Sequence, residues 1–295
     1  EKEYDPTKQY SVEQLKEDLL YTKENLEKYH PGLYWYTDKS SFDRLYDSLL
    51  KEIDHPMTTV EFFPIIQSVF VKVSEKHALL TFSEEAGSYL YNEAKRFPLK
   101  VKYINGALYV HQNASMDSSL VKGTKIVSIN DRTTDDILAE ILPKLISDGF
   151  NETAKYRMDI DLYFKTYYNL LIDQKEDFTL IVKKPGENQE TEVVVSGISN
   201  KEFAKRVAAR YNAPKKETFQ LEILADKTTA VLTNNDFDGT NTDGKDNDEF
   251  NEYAFRLLKN KSEVQNLIID LRKNGGGSPR GLYNLISYLA DEGIQ

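Results

Sequence analysis

The sequence predicts a multidomain α/β protein, α+β across its parts, on three observations. Helical periodicity with capping boxes runs through the first ninety residues, short alternating strands separated by turn residues follow to about Ile198, and strand then alternates with helix up to three consecutive glycines, Gly275 to Gly277. The chain has 295 residues, enough for two or three domains that each bury a core. Residues 1–95 are expected to form a helical domain, 96–198 a β-rich domain, and 199–295 a linker and a partial α/β core.

The helical region opens with "SVEQLKEDLLYTKENLEKYHPG", where Ser11 and Gln14 have capping-box spacing, Leu15, Leu19, Thr22 and Leu26 share one face, and Pro31 and Gly32 stop the helix. A second helix is expected from about Ser41, with Phe42, Leu45, Leu49 and Ile53 as its stripe. Thr58 and Glu61 form another capping box ahead of "FFPIIQSVFVKV". Trp35, with Tyr34 and Tyr36 in the loop between the first two helices, is expected to pack rather than bind.

The β-rich region reads as "LKVKYI", a turn at Asn105 and Gly106, "ALYVHQ", and then "GTKIVSIND", where Gly123 feeds an alternating strand. "TTDDILAEILPKLI" starts a helix with Thr133 or Thr134 as cap, and "DFTLIVKK", a "PGEN" turn and "TEVVVSGI" close the domain. Residues 199–217 read as a helical linker. Beyond it, "TTAVLTN", "DNDEFNEYAFRLLKN", "NLIIDLR" and "PRGLYNLISYLADEG" give the βαβα order of a parallel sheet. Two or three strands make a small sheet of that kind, so it reads as unfinished.

Composition excludes several classes of function. A net charge of -10, from 48 acidic and 38 basic residues with no basic cluster, argues against nucleic acid or anionic membrane as partner. No run approaches the ~18 apolar residues of a membrane span. With no cysteine, disulfides, thiolate nucleophiles and cysteine-bound metals are excluded, and serine, threonine or carboxylates must carry any chemistry.

Three glycines between a strand and a helix let successive backbone N–H groups aim at one point, beside the positive end of the helix. A phosphate loop would need Lys followed by Ser or Thr after the glycines, and Gly275, Gly277 and Arg280 miss the dinucleotide fingerprint at its third glycine. An oxyanion remains, the charge that develops on a tetrahedral acyl intermediate, with Gly275 and Gly276 as backbone donors. The same glycines also suit a tight strand-to-helix turn with no ligand.

At these residues the sequence resembles a family. "LIIDLRKNGGG" is similar to the strand and loop of the C-terminal processing, or tail-specific, peptidases and the tricorn protease core, serine peptidases with a crotonase- and Clp-protease-like fold. The order of parts agrees: a helical segment, a PDZ-like domain with a G-x-x-I-x-x-I-N strand at Gly123, Ile126, Ile129 and Asn130, and an α/β core. The resemblance implies a general-base histidine on a short strand ahead of the PDZ-like domain, matched by His77 in "VSEKHALLTF". Glu75 and Lys76 stand where the tricorn-like pattern has an acidic residue and glycine, and Ala78 where it has threonine. His30 and His55, before prolines at helix edges, and His111, in a strand, have weaker claims.

In the family the nucleophile lies well beyond the glycine loop, so it is expected past Gln295, and the chain is expected to be the front part of such an enzyme. Ser278, directly before Pro279, fits a helix N-cap. The implied function is a serine-type endopeptidase acting through an acyl-enzyme on peptide or protein substrates, exported to the periplasm or cell envelope, with no cofactor or metal. The alternative is a catalytically inactive peptide- or ligand-binding relative. The acidic stretch "NNDFDGTNTDGKDNDE" suggests calcium, but aligning Gly239 with the EF-hand glycine puts Lys245 where the bidentate glutamate belongs. A solvated loop that caps the next helix through Asp246 or Asn247, or a looser calcium loop, remains.

Overall fold

In the computed structural model, residues 4–156, 160–211 and 217–290 are described. The chain divides into two compact units, Glu1–Asn212 and Ala213–Gln295.

The first unit holds two cores. α1 (Val12–Tyr29), α2 (Lys39–Glu52) and α3 (Thr59–Val73) surround one of them, and both expected capping boxes are present, at Ser11 and at Thr58. Leu15 and Leu19 of α1, Phe42 and Tyr46 of α2 and Val69 and Val73 of α3 are buried together. Each such side chain contributes about 1.5–3 kcal/mol by leaving water. β1 (Gln9–Tyr10) pairs with β2 (Met57–Thr58) and ties the chain's start to the base of α3. Trp35 departs from expectation: its ring lies on Gly32, where a Cβ would come within 2.8 Å, yet 75% of the residue is exposed.

The second core lies under an antiparallel sheet. Its path is β3 (Leu99–Ile104), β4 (Ala107–Asn113), β5 (Lys125–Ile129), β7 (Asp177–Lys183) and β8 (Glu190–Ser196), with β6 (Arg132–Thr133) paired to β5. Asn105 and Gly106, both at positive φ, make the expected hairpin turn. Asn130 exchanges two hydrogen bonds with Thr179, accepting from its amide at 2.9 Å and donating to its carbonyl at 2.8 Å. α5 (Thr134–Ile141), capped by Thr133, and α6 (Ile160–Leu171) bury Ile137, Phe164 and Tyr168 against Leu108, Ile126 and Leu180. α4 (Glu84–Asn92), α6 and the bounds of α7 (Asn200–Arg210) were not individually legible in the sequence. Part of the expected linker, residues 212–216, lies outside the described residues.

The second unit is a three-stranded sheet with helices. β10 (Thr229–Asn234) and β11 (Asn266–Asp270) are parallel as expected, and α8 (Asn247–Lys259) makes the crossover, capped by Asp246. β9 (Phe219–Ile223) corrects the purely parallel expectation, because it joins β10 antiparallel through a short connection. Lys227 at φ 59° and Asp226, which accepts from the Thr228 and Thr229 amides, close that turn. α9 (Pro279–Ser287) follows the glycines, and the expected continuation past 290 lies outside the described residues. Phe219, Leu232, Phe250, Ala254 and Leu285 form the core.

Candidate active site

The glycine loop is built from the end of β11. Asp270 accepts from the Arg272 amide and from its guanidinium at 2.9 and 2.7 Å, and these bonds hold its carboxyl down at about 2. The strand thus ends in a charged turn. Asn274 Nδ2 then reaches the Asn234 carbonyl and Oδ1, both at 3.2 Å, and Asn234 Nδ2 donates to Asn247 Oδ1 at 2.7 Å. Asn247 in turn donates to the Gly281 carbonyl at 3.0 Å. Asn234 and Asn247 are buried, so this chain of amides pins the loop to β10, α8 and α9 where water cannot compete.

Both expected oxyanion donors already have acceptors. The Gly275 amide donates to the Asn235 carbonyl at 3.2 Å, and the Gly276 amide to Asn274 Oδ1 at 2.7 Å. The next amides, those of Gly277 and Ser278, make no hydrogen bond among the described residues. Gly277 has φ 113°, and a Cβ there would lie 2.7 Å from the Asp238 amide nitrogen, so only glycine fits. Ser278 is the N-cap of α9, its hydroxyl accepting from the Arg280 amide at 3.2 Å.

His77 lies in the first unit, in a turn. The expected strand is replaced by the end of α3, the left-handed Ser74 that caps it, and a turn closed by the Ala78 amide on the Glu75 carbonyl. "VFVKV" lies at the end of α3, the helix that its capping box announces, and Val69 and Val73 enter the core. Glu75 Oε1 faces His77 Nδ1 at 2.8 Å and accepts from the His77 amide at 2.8 Å. Burial alone would raise the Glu75 carboxyl, but these bonds outweigh it and hold it below its ordinary value. A carboxylate at Nδ1 favours the ring proton there, which in the neutral imidazole makes Nε2 the acceptor, on a side chain that is 92% exposed. Asp148 completes the turn by accepting from the Lys76 amide at 2.8 Å.

Beside this turn, Phe150 stands edge-on to Tyr36, ring centroids 5.7 Å apart, and is 87% exposed. Of the other histidines, His55 pairs with Asp54 on the surface and burial lowers His111 within β4. In the acidic stretch Asn241 is bonded to both backbone groups of Phe219, and Asp243 pairs with Lys245. No three carboxylates of that stretch converge among the described residues.

Glu75, Asp148 and the Asn234–Asn247–Asn274 network were not singled out from sequence. For Glu75 the signal was present, since an acid two residues before a histidine can reach its Nδ1.

Comparison with known proteins bears out the family resemblance where its motif lies. Residues 228–295 match the sequence model of peptidase family S41. A comparison with curated proteins gives no match. Among solved structures, mature CPAF is similar with a TM-score of 0.61 at 16% identity, covering 94% of this chain and 58% of that one. Mature CPAF complexed with lactacystin gives 0.62 at 15% identity over 94% and 59%. The chain thus spans under two thirds of the length of these structures, and its multidomain α/β fold is like theirs.

Proposed function

We propose that the full-length protein is a serine-type endopeptidase of the C-terminal processing kind, tricorn-like in its use of a histidine base. The observation that carries this is the Glu75–His77 pair, in which the carboxylate at Nδ1 favours Nε2 as the acceptor. The family match on the glycine loop segment supports the same chemistry. A serine hydroxyl attacks the scissile carbonyl carbon, its proton passes to His77 Nε2, and the carbonyl oxygen becomes an oxyanion. The C–N bond then breaks as that proton moves to the departing amine, and water repeats the cycle on the acyl-enzyme. Within the second unit, Gly275 and Gly276 shape the loop, and the unpaired Gly277 amide beside the positive end of α9 is a backbone donor of the kind an oxyanion takes. The nucleophile is proposed to lie beyond Gln295, since the Ser278 hydroxyl is engaged as a cap.

Substrates on this reading are peptides or proteins. The sheet of 96–198 serves as a PDZ-like domain, taking an extended chain on an open edge strand, and the Phe150–Tyr36 pair offers an apolar surface to a side chain near His77. A cell-envelope location goes with this family reading. Among the described residues no helix is long and apolar enough to cross a membrane. A binding relative without chemistry is the second reading, favoured by the two occupied glycine amides.

A serine-reactive fluorophosphonate probe on the full-length protein tests both. Labelling that is lost in His77→Ala supports the peptidase, labelling undiminished by it removes His77 as base, and an unlabelled wild type favours the binding relative.

A further inference from the structure

The turn that holds His77 also gathers metal-ligating atoms. Glu75, His77 and Asp148 each bring one ligand atom within 4.8 Å of the other two. They belong to two segments locked by one bond to a side chain, Lys76 amide to Asp148 Oδ1, and one between backbones, Gly149 amide to Ser74 carbonyl, each at 2.8 Å. The donors are therefore positioned by the fold rather than by chance meeting of surface side chains.

A second imidazole borders the set. His30, at the end of α1, keeps only 15% of its side chain exposed, and its Nε2 lies 3.8 Å from Glu75 Oε2. That is too long for a hydrogen bond. It is close to the ~3.3 Å between two ligands around a tetrahedral zinc that holds each at ~2.0 Å. His30 Nδ1 is buried without a partner, so this ring lacks the second bond that usually orients a ligating imidazole and stands at the border of the set. One imidazole and two carboxylates, with a second imidazole at the border, are a donor set for zinc or a similar borderline cation that takes water as a further ligand. Calcium, which takes about six to eight oxygens, is poorly served.

We infer that Glu75, His77 and Asp148, with His30 bordering them at Glu75, bind a divalent transition-metal ion, zinc in the first instance, and that the ion withdraws His77 from use as a base. With the metal on Nδ1, the ring proton sits on Nε2. With the metal on Nε2, its lone pair is taken directly. In either case neither nitrogen can accept a hydroxyl proton, and removal of the ion restores the base. The inhibition rests on the peptidase reading, whereas the binding site does not.

The experiment uses the full-length protein and zinc chloride, with affinity read by competition against a chromophoric chelator. The wild type should take up one equivalent. Asp148→Asn, which keeps an acceptor for the Lys76 amide, and His30→Gln should each weaken binding by at least the ~10–100-fold that even an outer-shell partner is worth. Peptide hydrolysis by the wild type should fall as zinc is added and return with EDTA, while the rate of Asp148→Asn, whatever its zinc-free value, should not fall at the same zinc concentration. Absent stoichiometric binding, or binding unchanged in both variants, overturns the site. Binding at this site that leaves hydrolysis untouched overturns the inhibition. A protein that hydrolyses nothing but loses zinc in Asp148→Asn supports the site while sinking the peptidase reading.

Discussion

One oxygen of Glu75 meets both ends of His77, the backbone amide and the ring Nδ1, each at 2.8 Å. A carboxylate that grips both orients the imidazole more firmly than a single contact on so exposed a side chain could. Glu75→Gln should therefore reduce turnover in the full-length protein with little change in KM. His77→Ala should remove the ~10²–10⁴-fold that a positioned base supplies. Steady-state kinetics decide, and equal KM and turnover losses in Glu75→Gln would argue that the carboxylate only holds the turn together.

The glycines of the second unit should differ sharply in tolerance. A Cβ at Gly281 would sit 2.3 Å from the Phe237 carbonyl oxygen, and one at Gly277 would meet the Asp238 amide in a backbone conformation that L residues avoid. Alanine at either should destabilise by about 1–3 kcal/mol. Gly275 has open space and ordinary φ, so Gly275→Ala should be near neutral. Urea midpoints of the three variants test this, and a tolerant Gly281 would count against the close approach of α9 to the 236–238 loop.

Removing Asn234 should loosen the glycine loop. Its side chain is buried and bonded to Asn247, to Asn274 and to the Asp236 amide. Asn234→Ala should cost about 1–3 kcal/mol for buried groups left unpaired. Amide exchange at 274–278 should accelerate more than in β10, and uniform acceleration would point to global destabilisation alone.

Lys165 should titrate far below other lysines. Burial, then the neighbouring charges of Arg96 and Lys100, bring it down to about 8, with its Nζ 3.5 Å from the Phe203 ring centre. Because the folded chain holds this proton more weakly than the unfolded one, stability from this group rises with pH between about 8 and 10.5 and is flat below. A carbon-13 titration of the lysine Cε signals should find one midpoint near 8, absent in Lys165→Met. A midpoint near 10.5 would show the group solvated.

Phe150→Ala should raise KM for peptides with an apolar residue near the scissile bond and leave polar ones unaffected. The ring is exposed and packs on Tyr36, so its loss should scarcely change the thermal midpoint.

The sequence by itself determined what short-range chemistry dictates. Ser11 and Thr58 cap helices where their spacing placed them, Thr133 is the one of two candidate threonines that caps α5, Asn105 and Gly106 turn the hairpin, and the glycines follow a strand, since capping and turn geometry involve neighbours only. Tertiary structure decided which side chains meet across long intervals. Asp148 reaches Lys76 across 72 residues and Asn274 reaches Asn234 across 40. β9 joins β10 antiparallel, and His77 sits in a turn rather than on a strand. Local periodicity is silent on such pairings, because burial of distant segments against one another selects them.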